Sequence, residues 1–150
     1  MARETIQLDE LILDTVNRLH PISELRDVEI RIQTLTRTKI QGDPILVQNA
    51  IQNVLDNAVK YTFSDTKIAI MLDHSDGYAH IRVHDEGRGF DETEIDQLLQ
   101  RFERGKNADG IVGSGLGLTI VDDIMRAHSG QIILTNNAGE GACVTLSFPL

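Results

Sequence analysis

Three groups of residues in this sequence have the types and spacing to act together on one ligand. Asn53 and Asn57 stand four apart, with Lys60 and Tyr61 one turn further on, so a helix over this stretch puts all four on one face. An amide oxygen is a hard, neutral ligand of the kind magnesium takes, and a lysine there reaches a phosphate. By itself the pattern fits a solvated polar face equally well. The second group is Asp85-Glu86-Gly87-Arg88-Gly89. Two glycines spaced by one residue allow a tight turn that brings backbone close to a ligand, and a carboxylate where a strand runs out can accept a hydrogen bond from an exocyclic amine such as that of adenine. By itself this is more simply an ordinary strand-to-helix turn. The third is Gly113-Ser114-Gly115-Leu116-Gly117-Leu118, opening a helix. There the glycines let successive backbone N–H groups point at one anion while the helix N-terminus adds positive potential, which makes a phosphate cradle. It is not a Walker A loop, since no Gly-x-x-x-x-Gly-Lys-[Ser/Thr] occurs. Nor is it a dinucleotide fingerprint, because the glycine spacing differs and no strand leads directly into it.

These groups need elements to hold them. Leu8, Leu11, Ile12, Thr15, Val16 and Leu19 recur at helical spacing, and Pro21 is expected to close that helix. Val28, Ile30 and Ile32 alternate with charged residues, as do Thr36, Thr38 and Ile40 nearby, which predicts two short strands. Asp43-Pro44 is a helix start, with Asp as N-cap and Pro in the first turn. The helix should run to about Tyr61 with Val47, Ile51, Val54, Leu55 and Ala58 as its buried stripe. Strands over 67–72 and 78–84 flank a turn at Asp76-Gly77. A short acidic helix follows the Asp85 turn, then a polar, glycine-punctuated stretch over 105–113. A helix from Ser114 or Gly115 to about His128 stops at Ser129-Gly130, and strands over 131–135 and 142–148 close the chain as a hairpin. Alternation of helices with strand pairs is best solved by a mixed sheet with helices layered on one face.

The chain has 150 residues, enough for one domain with a real core. With 41% hydrophobic residues and no Trp, that core is built mostly from Ile, Leu and Val. A net charge of -9 excludes a general nucleic-acid binder, which needs a basic face. A polyanionic ligand must therefore be held by local donors rather than by the overall field. The single cysteine, Cys143, excludes an intramolecular disulfide framework and a cysteine-rich zinc site. No apolar run reaches the ~18–20 residues of a membrane span, and no signal-peptide core opens the chain, so a cytoplasmic location is expected.

Each group is weak alone, but their order and spacing together are specific. Asn-Val-Leu-Asp-Asn-Ala-Val-Lys-Tyr-Thr at 53–62, the Asp85 turn, Arg101-Phe102-Glu103-Arg104-Gly105, the 113–118 run and Gly139-Glu140-Gly141 resemble the N, G1, F, G2 and G3 boxes of the catalytic domain of bacterial sensor histidine kinases. Ala-His-Ser-Gly-Gln-Ile at 127–132 fits the same pattern. The resemblance implies a single domain over 1–150 with the Bergerat fold, an α/β two-layer sandwich of a mixed, mainly antiparallel sheet with three main helices on one face. It also implies ATP and magnesium as ligands. Asn57 would bind magnesium with Asn53 beside it, and Lys60 and Tyr61 would touch the phosphates. Asp85 would read the adenine amine, with Gly87 and Gly89 shaping the pocket. Phe102 would anchor a lid over 105–112 alone, because Leu99 stands where the first Phe of that box is frequent. Arg104 would sit near the terminal phosphate. Gly113, Gly115 and Gly117, with Leu116 and Leu118 between and after them, would wrap the phosphate chain. Cys143, where Thr is common, would lie at the rim of the adenine pocket. Glu86 and Arg88 stand where Asn and Pro are frequent.

Members of the wider superfamily that hydrolyse ATP typically carry a Glu one turn before the magnesium Asn, as a general base for water. Here that position is Asn53, which takes no proton at neutral pH. The site therefore suits transfer of the γ-phosphate to a nucleophile that is already reactive, such as an imidazole. Asn53, Lys60 and Arg104 are the expected catalytic residues. The acceptor motif of the family, a His followed by Glu or Asp on a two-helix dimerisation hairpin, has no match. His20, His74, His80, His84 and His128 all read as structural or surface residues. The chain is accordingly expected to be a fragment or split subunit, monomeric by itself. Its expected partners are the phosphoacceptor domain of a homodimeric parent and, indirectly, a response regulator. The alternatives are a stand-alone anti-sigma-type serine kinase and a non-catalytic nucleotide-binding module. Acid-labile phosphohistidine separates the first from acid-stable phosphoserine, and absence of any transfer marks the second.

Overall fold

The computed structural model describes residues 1–87, 115–136 and 141–150. The elements run β1 (Glu4–Gln7), α1 (Leu8–Leu25), β2 (Val28–Leu35), β3 (Lys39–Gly42), α2 (Pro44–Tyr61), β4 (Thr66–Ser75), β5 (Tyr78–His84), α3 (Gly115–Ala127), β6 (Gln131–Asn136) and β7 (Ala142–Pro149). Five strands form the main sheet in the order β2-β4-β5-β7-β6, and β1 and β3 make a separate antiparallel pair. Among the described residues only β2–β4 is parallel. This is the mixed, mainly antiparallel sheet expected, with three helices among the described residues.

Strand parity explains the layering. Across the sheet Ile68, Ile70 and Leu72 of β4 lie level with Ile81 and Val83 of β5 and with Val144 and Leu146 of β7, and all belong to one buried core. Leu8, Ile12 and Leu19 of α1, the predicted stripe of α2, and Leu118, Val121 and Met125 of α3 join the same core from the helix layer. The intervening strand residues, among them Arg82, His84, Cys143 and Thr145, point to the other face. Asp43 caps α2 as predicted: its Oδ1 accepts from the N–H groups of Ile45 and Leu46 at 3.0 and 3.3 Å. Its Oδ2 accepts from Ala2 at 3.0 Å.

Three local expectations need correction. Pro21 does not end α1, which continues to Leu25 because the buried row Ile12, Thr15, Leu19, Ser23 continues past the proline. Thr36 and Thr38 lie in a connection, and Ile40 belongs to β3, which pairs with β1 instead of with β2. The strand β1 itself has no counterpart in the sequence reading. The acidic helix and the lid stretch lie outside the described residues. Among the described residues no helix is long and apolar enough to cross a membrane.

Candidate functional site

The helix α2 is the spine of the site. Its stripe, extended by Ala50 and Val59, turns to the core and leaves Asn53, Asn57 and Lys60 at its flank. Asn53 is half-buried and its Nδ2 donates to the carbonyl of Asn49 at 2.8 Å, which ties the amide to its own helix. Asn57 is also half-buried, and its Nδ2 is buried with no hydrogen-bond partner among the described residues. Leaving such a donor unsatisfied costs about 1–3 kcal/mol. An unmet amide donor fits an acceptor such as a phosphate oxygen, while the oxygen of the same carboxamide is the atom that could take a cation. Lys60 pairs with Asp56 at 3.3 Å, an exposed i,i+4 ion pair. Such pairs contribute only about 0–1 kcal/mol, so the ammonium exchanges partners readily. Tyr61 is the exposed last residue of the helix.

The Asp85 turn is fastened to this spine. Asp85 continues the β5–β7 ladder one step past His84↔Cys143: its N–H donates to the Ala142 carbonyl at 2.9 Å. Asp85 Oδ1 in turn accepts from the N–H groups of Gly87 at 2.9 Å and Ala142 at 3.0 Å. Two backbone donors thus fix the carboxylate's orientation. A Cβ on Gly87 would stand 2.7 Å from the Tyr61 carbonyl oxygen and 3.1 Å from Thr62 Cα. The turn therefore rests directly on the C-terminal end of α2, and close approach is what requires glycine there. Glu86, a departure from the commonest motif, has a structural use, since its Oε1 accepts from the N–H of Lys67 at 2.7 Å.

The third group opens α3, which packs against α2. Gly115, Leu116 and Gly117 lie in its first turn, where backbone N–H groups lack intrahelical partners. Leu118 is 2% exposed and belongs to the core. It seats the start of α3 and does not itself face a ligand. Gly89, Phe102, Arg104 and Gly113 lie outside the described residues. Cys143 does not belong at an adenine rim on the helix side. Its neighbour Val144 faces the core, and its own Sγ lies 3.6 Å from His84 Nε2 and 3.8 Å from Thr145 Oγ1 on the opposite face of the sheet. The residue of this strand that meets Asp85 is Ala142, through its backbone.

Two further residues, neither expected from sequence to position the site, do so. Arg26 donates from Nε to the Val59 carbonyl at 3.2 Å and from Nη2 to the Lys60 carbonyl at 2.9 Å, satisfying the last turn of α2. His128 is buried, packs edge-on to Phe148, and accepts from the Asp43 N–H at Nε2, 3.0 Å. With Nε2 an acceptor, the ring proton is on Nδ1, which donates to the Ile124 carbonyl at 2.8 Å. The imidazole so joins the end of α3 to the cap of α2. No composition signal marks Arg26. His128 was visible only as part of a motif.

Residues 42–150 match the family model described as histidine kinase-, DNA gyrase B- and HSP90-like ATPase. Sensor histidine kinase YvrG of Bacillus subtilis is 30% identical over 86% of this chain and 22% of its own length. Sensor protein BasS of Escherichia coli is 33% identical over 86% of this chain and 35% of its own. The chain thus spans about a fifth to a third of the length of these relatives. Among solved structures, the mycobacterial sensor histidine kinase MprB superposes with a TM-score of 0.82 at 26% identity, covering 99% of this chain and 97% of that one. Matched over most of its length, the chain belongs to the histidine kinase-, DNA gyrase B- and HSP90-like ATPases and carries their ATP-binding domain.

Proposed function

We propose that this domain binds ATP with magnesium and passes the γ-phosphate to a histidine on a separate dimerisation and phosphoacceptor domain, from which a response regulator is served. The observation that carries the reading is Asn53. It stands one turn before Asn57, where hydrolysing members carry a general base, and its amide is bonded to the Asn49 carbonyl. With no proton acceptor there, water is not activated, and positioning favours an incoming imidazole.

The fixed Asp85 carboxylate would hold the adenine amine, in a pocket shaped by Gly87 and Gly89. The N–H groups of Gly113, Gly115 and Gly117, with Leu116 and Leu118 setting the helix start, would hold the phosphate chain, and Lys60, Tyr61 and Arg104 would approach its terminal part. Phe102 would hold the lid. Asn57, with Asn53 beside it, would hold magnesium, which when bound neutralises phosphate charge. None of the five histidines of the chain serves as the acceptor: His128 is locked at both nitrogens, and exposed His20 pairs with Glu24 at 3.4 Å. The parent protein would be a homodimer with this domain on the cytoplasmic side.

Mixing the chain with γ-labelled ATP and a separately expressed phosphoacceptor hairpin tests the reading. Acid-labile label on the hairpin, lost with Asn57→Ala, is expected. Vigorous hydrolysis without transfer, or acid-stable label, would contradict it.

A further inference from the structure

At the far edge of the sheet, between the C-terminal half of α1 and the first half of β2, lies a groove of about 620 Å³. Asn57 and Asp85 are not among its lining residues, although the N–H of Lys67 at its rim donates to Glu86, next to Asp85, at 2.7 Å. Its apolar members are buried Val28 together with Val16 of α1 and Ile30 of β2, both half-buried. They belong to a longer half-buried row that also includes Leu11, Ile32 and Leu35 on the same two elements. Its rim carries four exposed carboxylates, Glu24, Asp27, Glu29 and Asp65. Glu29 is paired with Arg31 at 3.1 Å and Glu24 with His20 at 3.4 Å, and Lys67 adds a further cation, so the carboxylates still outnumber the fixed cations. The rim is held in shape by the N–H of Asp65 donating to the Asp27 carbonyl at 2.7 Å.

The strand beside this groove is an edge. Among the described residues β2 pairs only with β4, and its register is regular from Val28 to Ile32 before a bulge near Thr34. The outer backbone groups of such a strand can template another strand. An exposed edge with an apolar row beneath it and a concentration of carboxylates at one end has the makings of strand addition by an extended peptide, in which ladder hydrogen bonds give affinity and side-chain pockets give specificity. Charge decides the occupant. The carboxylate rim, on a chain of net charge -9, attracts basic segments and repels acidic ones.

We propose that the α1–β2 groove docks an extended, basic segment of a partner polypeptide, paired along β2 with alternate apolar side chains on Val16 and Ile30. The proposal is independent of phosphotransfer.

The test is selection of a displayed random dodecapeptide library on the 150-residue chain, with counter-selection on the Glu24→Lys/Glu29→Lys double variant. Both positions are exposed surface, and circular dichroism checks that the variant folds. Enriched peptides are then synthesised and titrated into isotope-labelled protein. The expected result is enrichment of sequences alternating basic and β-branched residues, with amide shifts confined to β2 and the end of α1. Affinity should drop about tenfold in the double variant and vanish when alternate peptide amides are N-methylated. The proposal is overturned if no sequence is enriched over the variant, if acidic or helical peptides are selected, if N-methylation has no effect, or if the shifts fall elsewhere.

Discussion

Asn57 and Gly87 lie on neighbouring segments and serve the site in opposite ways, one by its side chain and one by having none. The amide nitrogen of Asn57 is buried without a partner among the described residues, as a donor reserved for a ligand would be. Asn57→Ala is therefore expected to abolish nucleotide binding, measured by calorimetry, while leaving stability unchanged or raising it by about 1 kcal/mol. A large loss of stability would mean that the amide has a structural role instead. Gly87 allows the Asp85 turn to sit on the end of α2, where an added Cβ would meet the Tyr61 carbonyl oxygen at 2.7 Å. Gly87→Ala should cost about 1–3 kcal/mol in denaturant unfolding and weaken nucleotide binding with it. The sequence marked Asp85 and Gly87 as a turn, but that the turn rests on α2 depends on contacts between distant segments. Cys143 shows the reverse failing. Its assignment followed a motif alone, whereas the alternation Ala142, Val144, Leu146 already put Cys143 on the other face of the sheet.

At the scale of elements, α2 is held at both ends by residues from other segments. Asp43 caps its start. Burial penalises that carboxylate, but the N–H groups of Ala2, Leu46 and Ile45 outweigh the penalty and hold it below its ordinary value of 3.8. A lowered folded value means that the stabilisation is present above pH 3.8 and is lost as the pH falls through the folded value. Asp9, penalised by desolvation but lowered overall by the Gln7 side chain and the Thr38 N–H, acts in the same sense. Thermal unfolding of Asp43→Asn should therefore show a shallower acid dependence below pH 3.8 than the parent, with a neutral-pH melting temperature lower by about 3 °C. His128→Ala removes the acceptor of the Asp43 N–H together with the ring packed on Phe148, and should cost about 3 kcal/mol in denaturant unfolding. The boundaries of α2 were legible because cap, proline and stripe agree. Those of α1 were not, because a proline signal was overridden by continuing burial. The strand β1 was illegible, since Ile6 is the one fully buried residue among its four.

For the molecule as a whole, the layered sandwich was readable because period-2 strands and period-3.6 helices alternate along the chain and each apolar face has one place to go. Strand order was not, since pairing β2 in parallel with β4 and setting β3 aside with β1 are choices made between distant segments. The site gathers on the helix side of the sheet, around α2 and the start of α3. On this account the domain is one half of an active centre, completed by an imidazole from another domain. Phosphotransfer from γ-labelled ATP to a separately expressed acceptor hairpin measures that most directly. Acid-labile phosphate on the hairpin and slow hydrolysis by the chain alone are the expected results. Rapid hydrolysis abolished by Asn57→Ala, with no phosphate on the hairpin, would contradict it.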